Sequence, residues 1–171
     1  PFSYEVQGQP AGLAFDLCDI IRENTGLALE YYGYENTQTA VEALKNGEID
    51  MIASMVKLAD DDEFKYSKDY FSAMNIMAKR TALDVTDLDD KKAAVVKGEQ
   101  NLYEGDTANQ VVYDTISDCI ESVQREKTDY TVTNYYSANY YIRENECDRV
   151  DLIPSSNSST LHMGFLDSAD A

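Results

Sequence analysis

The chain has 171 residues, with 14 Lys and Arg against 32 Asp and Glu, a net charge of −18. That length suits one domain or two small lobes on one chain, and 43% hydrophobic with 11% aromatic residues excludes a disordered tail. So acidic a chain disfavours nucleic acid and anionic lipid as partners, because both demand Lys and Arg; no apolar run approaches the ~18 residues of a membrane span, so no direct membrane insertion is expected.

In chain order, residues 12–24 predict a helix with Leu13, Leu17, Ile20 and Ile21 on one face, stopped by Gly26. Residues 27–32 are apolar and aromatic and predict a short strand. Thr37 or Thr39 can cap a second helix that carries Ala40, Val41 and Leu44 and ends at Asn46-Gly47. Residues 49–55 form a near-continuous apolar run, the pattern of a strand buried on both faces. Helix, strand, helix, strand argues for an α/β domain with a mainly parallel sheet. Residues 57–68 break the pattern with an acidic run, Asp60 to Glu63, expected in a loop.

Further strands are predicted over 75–79, 93–97, 110–113, 129–133, 150–153 and 161–165. Residues 84–90 predict a short helical turn, and 115–125 a helix with Ile116, Cys119, Ile120 and Val123 on one face. A tyrosine-rich helix is expected over 135–143, and the Ser-rich stretch 155–159 as a loop. Ala40 to Leu44 matches Cys119 to Val123 at a spacing of 79, which also places Asp50 on Asp129 and Tyr34 on Tyr113. Both blocks run strand, helix, Asp, strand, so two similar α/β lobes are expected, and clefts between lobes are favoured small-ligand sites.

Little points to an enzyme. There is no GxSxG, HExxH, P-loop or GxGxxG, and a single histidine, His162, rules out a Cys/His zinc cluster; no cofactor or metal is expected. His162 reads as a structural residue of a strand. Of three cysteines, Cys119 and Cys147 could form a disulfide that leaves Cys18 over; the alternative is three reduced, buried thiols.

Five segments in order carry a resemblance over nearly the whole chain. The opening PFSYEVQGQPAGLAFDLCDII, then AVEALKNGEIDMIASM, KYSKDYFSAMNIMAKR, AAVVKGEQN and SVQREKTDYTVTNYYSANYYI are similar to the bacterial extracellular solute-binding proteins of family 3. The resemblance implies an α/β, two-lobed, periplasmic-binding-protein-like fold of type II, with sheets flanked by helices and two hinge strands, near Met77 to Thr81 and Leu161 to Gly164. It places lobe one at 1–78 and 164–171 and lobe two at 79–163, with the ligand between them. The abrupt start at Pro1-Phe2 reads as the middle of a longer chain, truncated at both ends.

The ligand contacts implied are Phe2 and Tyr4 as pocket walls, and Ser54, Met55 and Val56 at the carboxyl end of a strand, where ligands sit in open α/β sheets. Asp61, Gln100, Asn101, Asn134 and Tyr135 complete the set. Two of these depart from the family. Its carboxylate-binding Arg falls on Asp60 or Asp61, and its ammonium-binding Asp falls on Asn134, which can equally cap the following helix. A neutral or cationic polar ligand, an amino acid or analogue, is therefore expected over an anion. The role implied is extracytoplasmic: the sensing ectodomain of a membrane histidine kinase or cyclase or, alternatively, the receptor of an amino-acid-type ABC importer working with its permease. A ligand-free docking lobe and a dehydratase-like enzyme rank below these.

Overall fold

A computed structural model describes residues 2–57, 63–98 and 109–167. Two compact units divide the chain: unit 1 comprises Pro1–Tyr34, Thr39–Ser72 and Thr160–Ala171, and unit 2 comprises Glu35–Gln38 and Ala73–Ser159.

Unit 1 opens with a hairpin of β1 (Tyr4–Val6) and β2 (Gln9–Ala11), with Tyr4 opposite Ala11 and Val6 opposite Gln9. Gln7 and Gly8 both have positive φ, 54° and 76°, which is the two-residue turn whose twist matches a hairpin. Helix α1 (Leu13–Thr25) stops at Gly26 as expected, where φ is 73° and the N–H donates to the Arg22 carbonyl, but its buried residues are Ala14 and Cys18, while Leu13 and Ile20 of the expected face are exposed and Leu17 and Ile21 half-buried. The expected strand over 27–32 does not form. Leu29 and Tyr31 turn partly inward, the Tyr31 ring 4.0 Å from Phe15, but Leu27 and Tyr32 stay 56% and 62% exposed. The alternation of a strand is present; a ladder partner among the described residues is not.

Helix α2 (Thr37–Lys45) ends at Asn46 and Gly47 as expected, Gly47 having φ 72°. It begins with Thr37 already helical, so Thr39 is interior to it. It leads to β3 (Ile52–Val56), shorter than the apolar run that announced it. Only Met55 of β3 is fully buried, against Leu44 and Phe64, so the reading of a strand buried on both faces is corrected to one buried face. The stretch expected as loop contains β4 (Phe64–Tyr66). Both β3 and β4 pair antiparallel with β9 (Val150–Leu166).

Unit 2 has the strand order β9, β5 (Phe71–Arg80), β8 (Tyr130–Asn134), β6 (Ala93–Val96), β7 (Gln110–Tyr113). β6 pairs parallel with β7 and β8, while β5 and β8 are antiparallel. The expectation of a mainly parallel sheet is corrected: it holds only at β6, while β3–β9, β4–β9 and β5–β8 are all antiparallel. Helix α3 (Ile116–Gln124) carries the chain from β7, on one side of β6, to β8 on the other, which lets both lie parallel to β6; β9 comes from the far end of the chain and runs antiparallel to β3 and β4.

Helix α3 lays Cys119, Ile120 and Val123 into the core, and Thr115 caps it by accepting from the Asp118 N–H. Helix α4 (Tyr135–Glu144) buries Ala138. Ile76, Ala78, Ile120, Val123, Ala138, Cys147 and Val150 form the unit's main cluster.

Three expectations are corrected here. Residues 84–90 form turns rather than a helical one, because Asp84 and Asp87 bind the backbone N–H two residues on. The Ser-rich stretch is strand: β9 runs unbroken over 17 residues. The three cysteines are buried thiols with no bridge between Cys119 and Cys147, so of the two alternatives the reduced one holds. The chain passes between units after Tyr34 and back after Gln38, then after Ser72, in β5, and after Ser159, in β9. Of the expected hinge segments, Met77 to Thr81 lies within unit 2 and Leu161 to Gly164 within unit 1.

Candidate functional site

In unit 1 three of the expected contacts, Ser54, Met55 and Val56, lie at the end of β3. Met55 is 2% exposed and points into the core. Alternation turns its neighbours Ser54 and Val56 to the opposite face, where both are half-buried. Tyr70 stands beside them: its hydroxyl donates to the Ala53 carbonyl at 3.0 Å, and its N–H to the Leu161 carbonyl at 3.0 Å. Burial pushes the Tyr70 phenol up, against a smaller lowering by its hydrogen bond with Ser54. The Phe2 ring lies 5.1 Å from Phe71, and the Phe2 carbonyl accepts from the Ala14 N–H at 3.0 Å, fixing the entry to α1. Tyr4 is 46% exposed on β1.

His162 has both ring nitrogens engaged. Nδ1 lies 2.9 Å from the Ser67 carbonyl, Nε2 lies 2.9 Å from the Thr160 hydroxyl, and the Tyr66 ring meets it edge-on. It ties β9 to the segment after β4, the structural role its sequence context suggested.

In unit 2 the end of β8 positions Asn134. Its side-chain oxygen accepts from the Ser137 N–H at 2.8 Å, capping α4, and its amide donates to the Ser137 hydroxyl at 3.0 Å. Asn75 lies directly opposite Asn134 in the β5–β8 register. Its side chain makes a two-point pair with Ser159: amide to hydroxyl at 2.9 Å and hydroxyl to carbonyl at 3.0 Å. Tyr135 packs against the unit 2 core and lies edge-on to Tyr136. Asn75, Asn134, Ser137 and Ser159 are all neutral hydrogen-bonding groups at one end of the unit 2 sheet.

Asp61, Gln100 and Asn101 lie outside the described residues, as does Asp60. Tyr70, Asn75 and Ser159 stand beside these positions without a sequence signal of their own: nothing local in the sequence joins Tyr70 to Ala53 or Asn75 to Ser159.

The matrix of strands and helices now has close counterparts. The sequence model of the bacterial extracellular solute-binding proteins, family 3, matches residues 1–138. The chain belongs to this family. Its fold is shared with a histidine kinase sensor domain similar to periplasmic binding proteins, at a TM-score of 0.88 and 20% identity, covering 99% of this chain and 78% of that one. The periplasmic VFT2 domain of Bordetella pertussis BvgS follows at 0.81 and 19%, covering 98% and 77%. The arginine-, lysine-, histidine-binding protein ArtJ of Geobacillus stearothermophilus stands at 0.84 and 20%, covering 99% and 79%. The two-lobed periplasmic-binding-protein-like fold is therefore that of this solute-binding chain.

A membrane-bound lytic murein transglycosylase F of Actinobacillus succinogenes is 28% identical over 187 aligned positions, which cover 94% of this chain. The chain spans only 39% of that relative's length. No helix among the described residues is long and apolar enough to cross a membrane.

Proposed function

We propose that this solute-binding chain is the ligand-sensing ectodomain of a membrane signalling protein, a histidine kinase or a cyclase, and that it works outside the cytoplasm. Membership of an extracellular solute-binding family over residues 1–138 carries the binding role. The likeness of fold to two sensor domains supports the sensing role. The ligand is a small polar molecule, neutral or cationic, in keeping with the net charge of −18. Asn134 supports a neutral one: the residue that would carry a charge for an ammonium is an amide already committed to capping α4. Proposed contacts are Phe2, Tyr4, Ser54, Val56 and Asp61 in unit 1, and Gln100, Asn101, Asn134 and Tyr135 in unit 2, with Tyr70 added. Met55, buried, supports them from behind. The chain is not itself an enzyme in this reading; the stretch shared with the murein transglycosylase is that protein's binding part.

A second reading is the receptor of an ABC importer, favoured by the likeness of fold to ArtJ. A thermal-shift screen against amino acids, polyamines, sugars and nucleosides tests the binding role. A ligand at 100 times its Kd stabilises by about 2.7 kcal/mol, or roughly 5–10 °C for a chain this long. A cooperative melt that no compound shifts would overturn ligand binding. With a ligand in hand, ligand-dependent kinase or cyclase output from the membrane-embedded protein separates sensing from uptake.

A further inference from the structure

Among the described residues β7 closes the sheet order of unit 2, so one of its edges carries no ladder. The Tyr113 carbonyl accepts from the Lys97 N–H at 2.8 Å, so Tyr113 turns its backbone groups toward β6. Backbone groups alternate in direction along a strand, so the N–H and carbonyl of Gln110 and Val112 point away from the sheet. Side chains alternate as well. Val111 and Tyr113 share the face on which α3 packs, and Val112 lies on the other. Val111 is 36% exposed and Val112 49%, so the edge is open on both faces.

The edge lacks the features that keep sheet edges apart, which are charge, proline and bulges. Pairing with β6 is regular from Ala93 opposite Gln110 to Val96 opposite Tyr113, and the strand holds neither Lys nor Pro. In a chain with 27% charged residues, residues 109–113 carry no charge. A second copy, also at −18, meets less repulsion here than along a charged segment. At the other end of the order β3 has no exposed side chain to offer.

We infer that β7 pairs antiparallel with β7 of a second copy, about a twofold axis at Val112. The strand is complementary to itself in that register. Val112 meets its own counterpart, and the two exchange N–H to carbonyl bonds through the groups that point outward. Val111 meets Tyr113 on the α3 face, a β-branched residue against an aromatic one, which is a favourable cross-strand pair. Gln110 meets Asp114, so an amide faces a carboxylate and no like charges are opposed. A shift of two residues sets Val112 against Gln110 or Asp114, an apolar side chain against a polar one. Two edges of this length make a small contact, so the dimer is weak and governed by concentration. The pairing is independent of the ligand-sensing role.

The experiment is sedimentation velocity on the full chain. Dimer is expected to accumulate from about 10 µM to about 1 mM, and to tighten between about 0.05 and 0.5 M NaCl as salt screens the repulsion between copies. Val112→Lys sets two ammonium groups face to face across the axis and is expected to raise the dimer Kd at least about tenfold. The exposed site lets V112K keep its fold, which its melting curve checks. Val112→Cys and Val111→Cys read the register separately. Under mild oxidant V112C is expected to form an interchain disulfide with its counterpart, whereas V111C, which faces Tyr113, is not. A native chain that stays monomeric at the highest concentration, a dimer indifferent to V112K, or V111C cross-linking as fast as V112C overturns the pairing.

Discussion

At the end of β8, Asn134 gives its side-chain oxygen to the first turn of α4 and its amide to Ser137. Asn134→Ala should cost about 1 kcal/mol of stability through the lost cap, whereas Asn134→Asp, an equally good cap, should cost little. Urea unfolding of the two variants checks this. If Asn134 also contacts ligand, N134D is the variant whose ligand preference moves toward cations while its fold is unchanged. Two exposed carboxyl groups have clear pH roles. Hydrogen bonds from the Thr86 N–H and hydroxyl hold Asp84 below the usual carboxylate range, and one from the Gln124 amide does the same for Asp148. A folded-state value below the unfolded one means that their stabilisation is complete above the ordinary carboxylate pKa and is lost as pH falls through the depressed value. Asp84→Asn should therefore flatten the fall of stability in acid, seen in melting curves between neutral pH and pH 3. The Asn134 cap was legible because it spans three residues; the Asn75–Ser159 pair spans 84 and was not.

Element by element, the helices rest on interactions that a short window contains. In α3, Thr115 accepts from the Asp118 N–H and donates to its carboxylate at 2.6 Å, while Ile120 and Val123 are wholly buried. Thr115→Ala should cost about 1 kcal/mol and Ile120→Ala about 2–5 kcal/mol, the latter through the cavity left among Ile76, Ala78 and Val150. Chemical denaturation of both ranks them. Strands are different. The serines of β9 have turn chemistry by composition, and the Asn157 N–H does bond back to the Ser155 hydroxyl. What makes the stretch a strand is its neighbour β5, including the grip of Asn75 on Ser159. Gly164 of β9 belongs here too: a Cβ there would lie 2.6 Å from the Met55 sulfur, so Gly164→Ala should cost about 1–3 kcal/mol by forcing the buried Met55 aside.

For the molecule as a whole, a net charge of −18 repels itself, and screening should raise the melting temperature between low salt and 0.5 M NaCl. An alkaline limit is also expected. Burial raises the Cys18 and Cys147 thiols and the Tyr70 and Tyr130 phenols, so the stability they contribute is complete below their ordinary values and is lost as pH rises through the raised ones. Melts at pH 7, 9 and 10.5 should fall in that order. The residues by themselves determined the helices, the glycine ends of α1 and α2, the buried face of α3, and the family; they did not determine the buried face of α1, where Ala14 and Cys18 are covered and Leu13 and Ile20 are exposed. What they determined follows from contacts three or four residues apart or from motifs contiguous in the chain. Tertiary structure alone decided that residues 27–32 carry no ladder among the described residues, that β3 and β4 lie antiparallel to β9, that the Ser-rich stretch is strand, and that Tyr70 stands beside Ser54. A strand exists only through hydrogen bonds to another strand, and here the partners lie about 100 residues apart, beyond any local pattern.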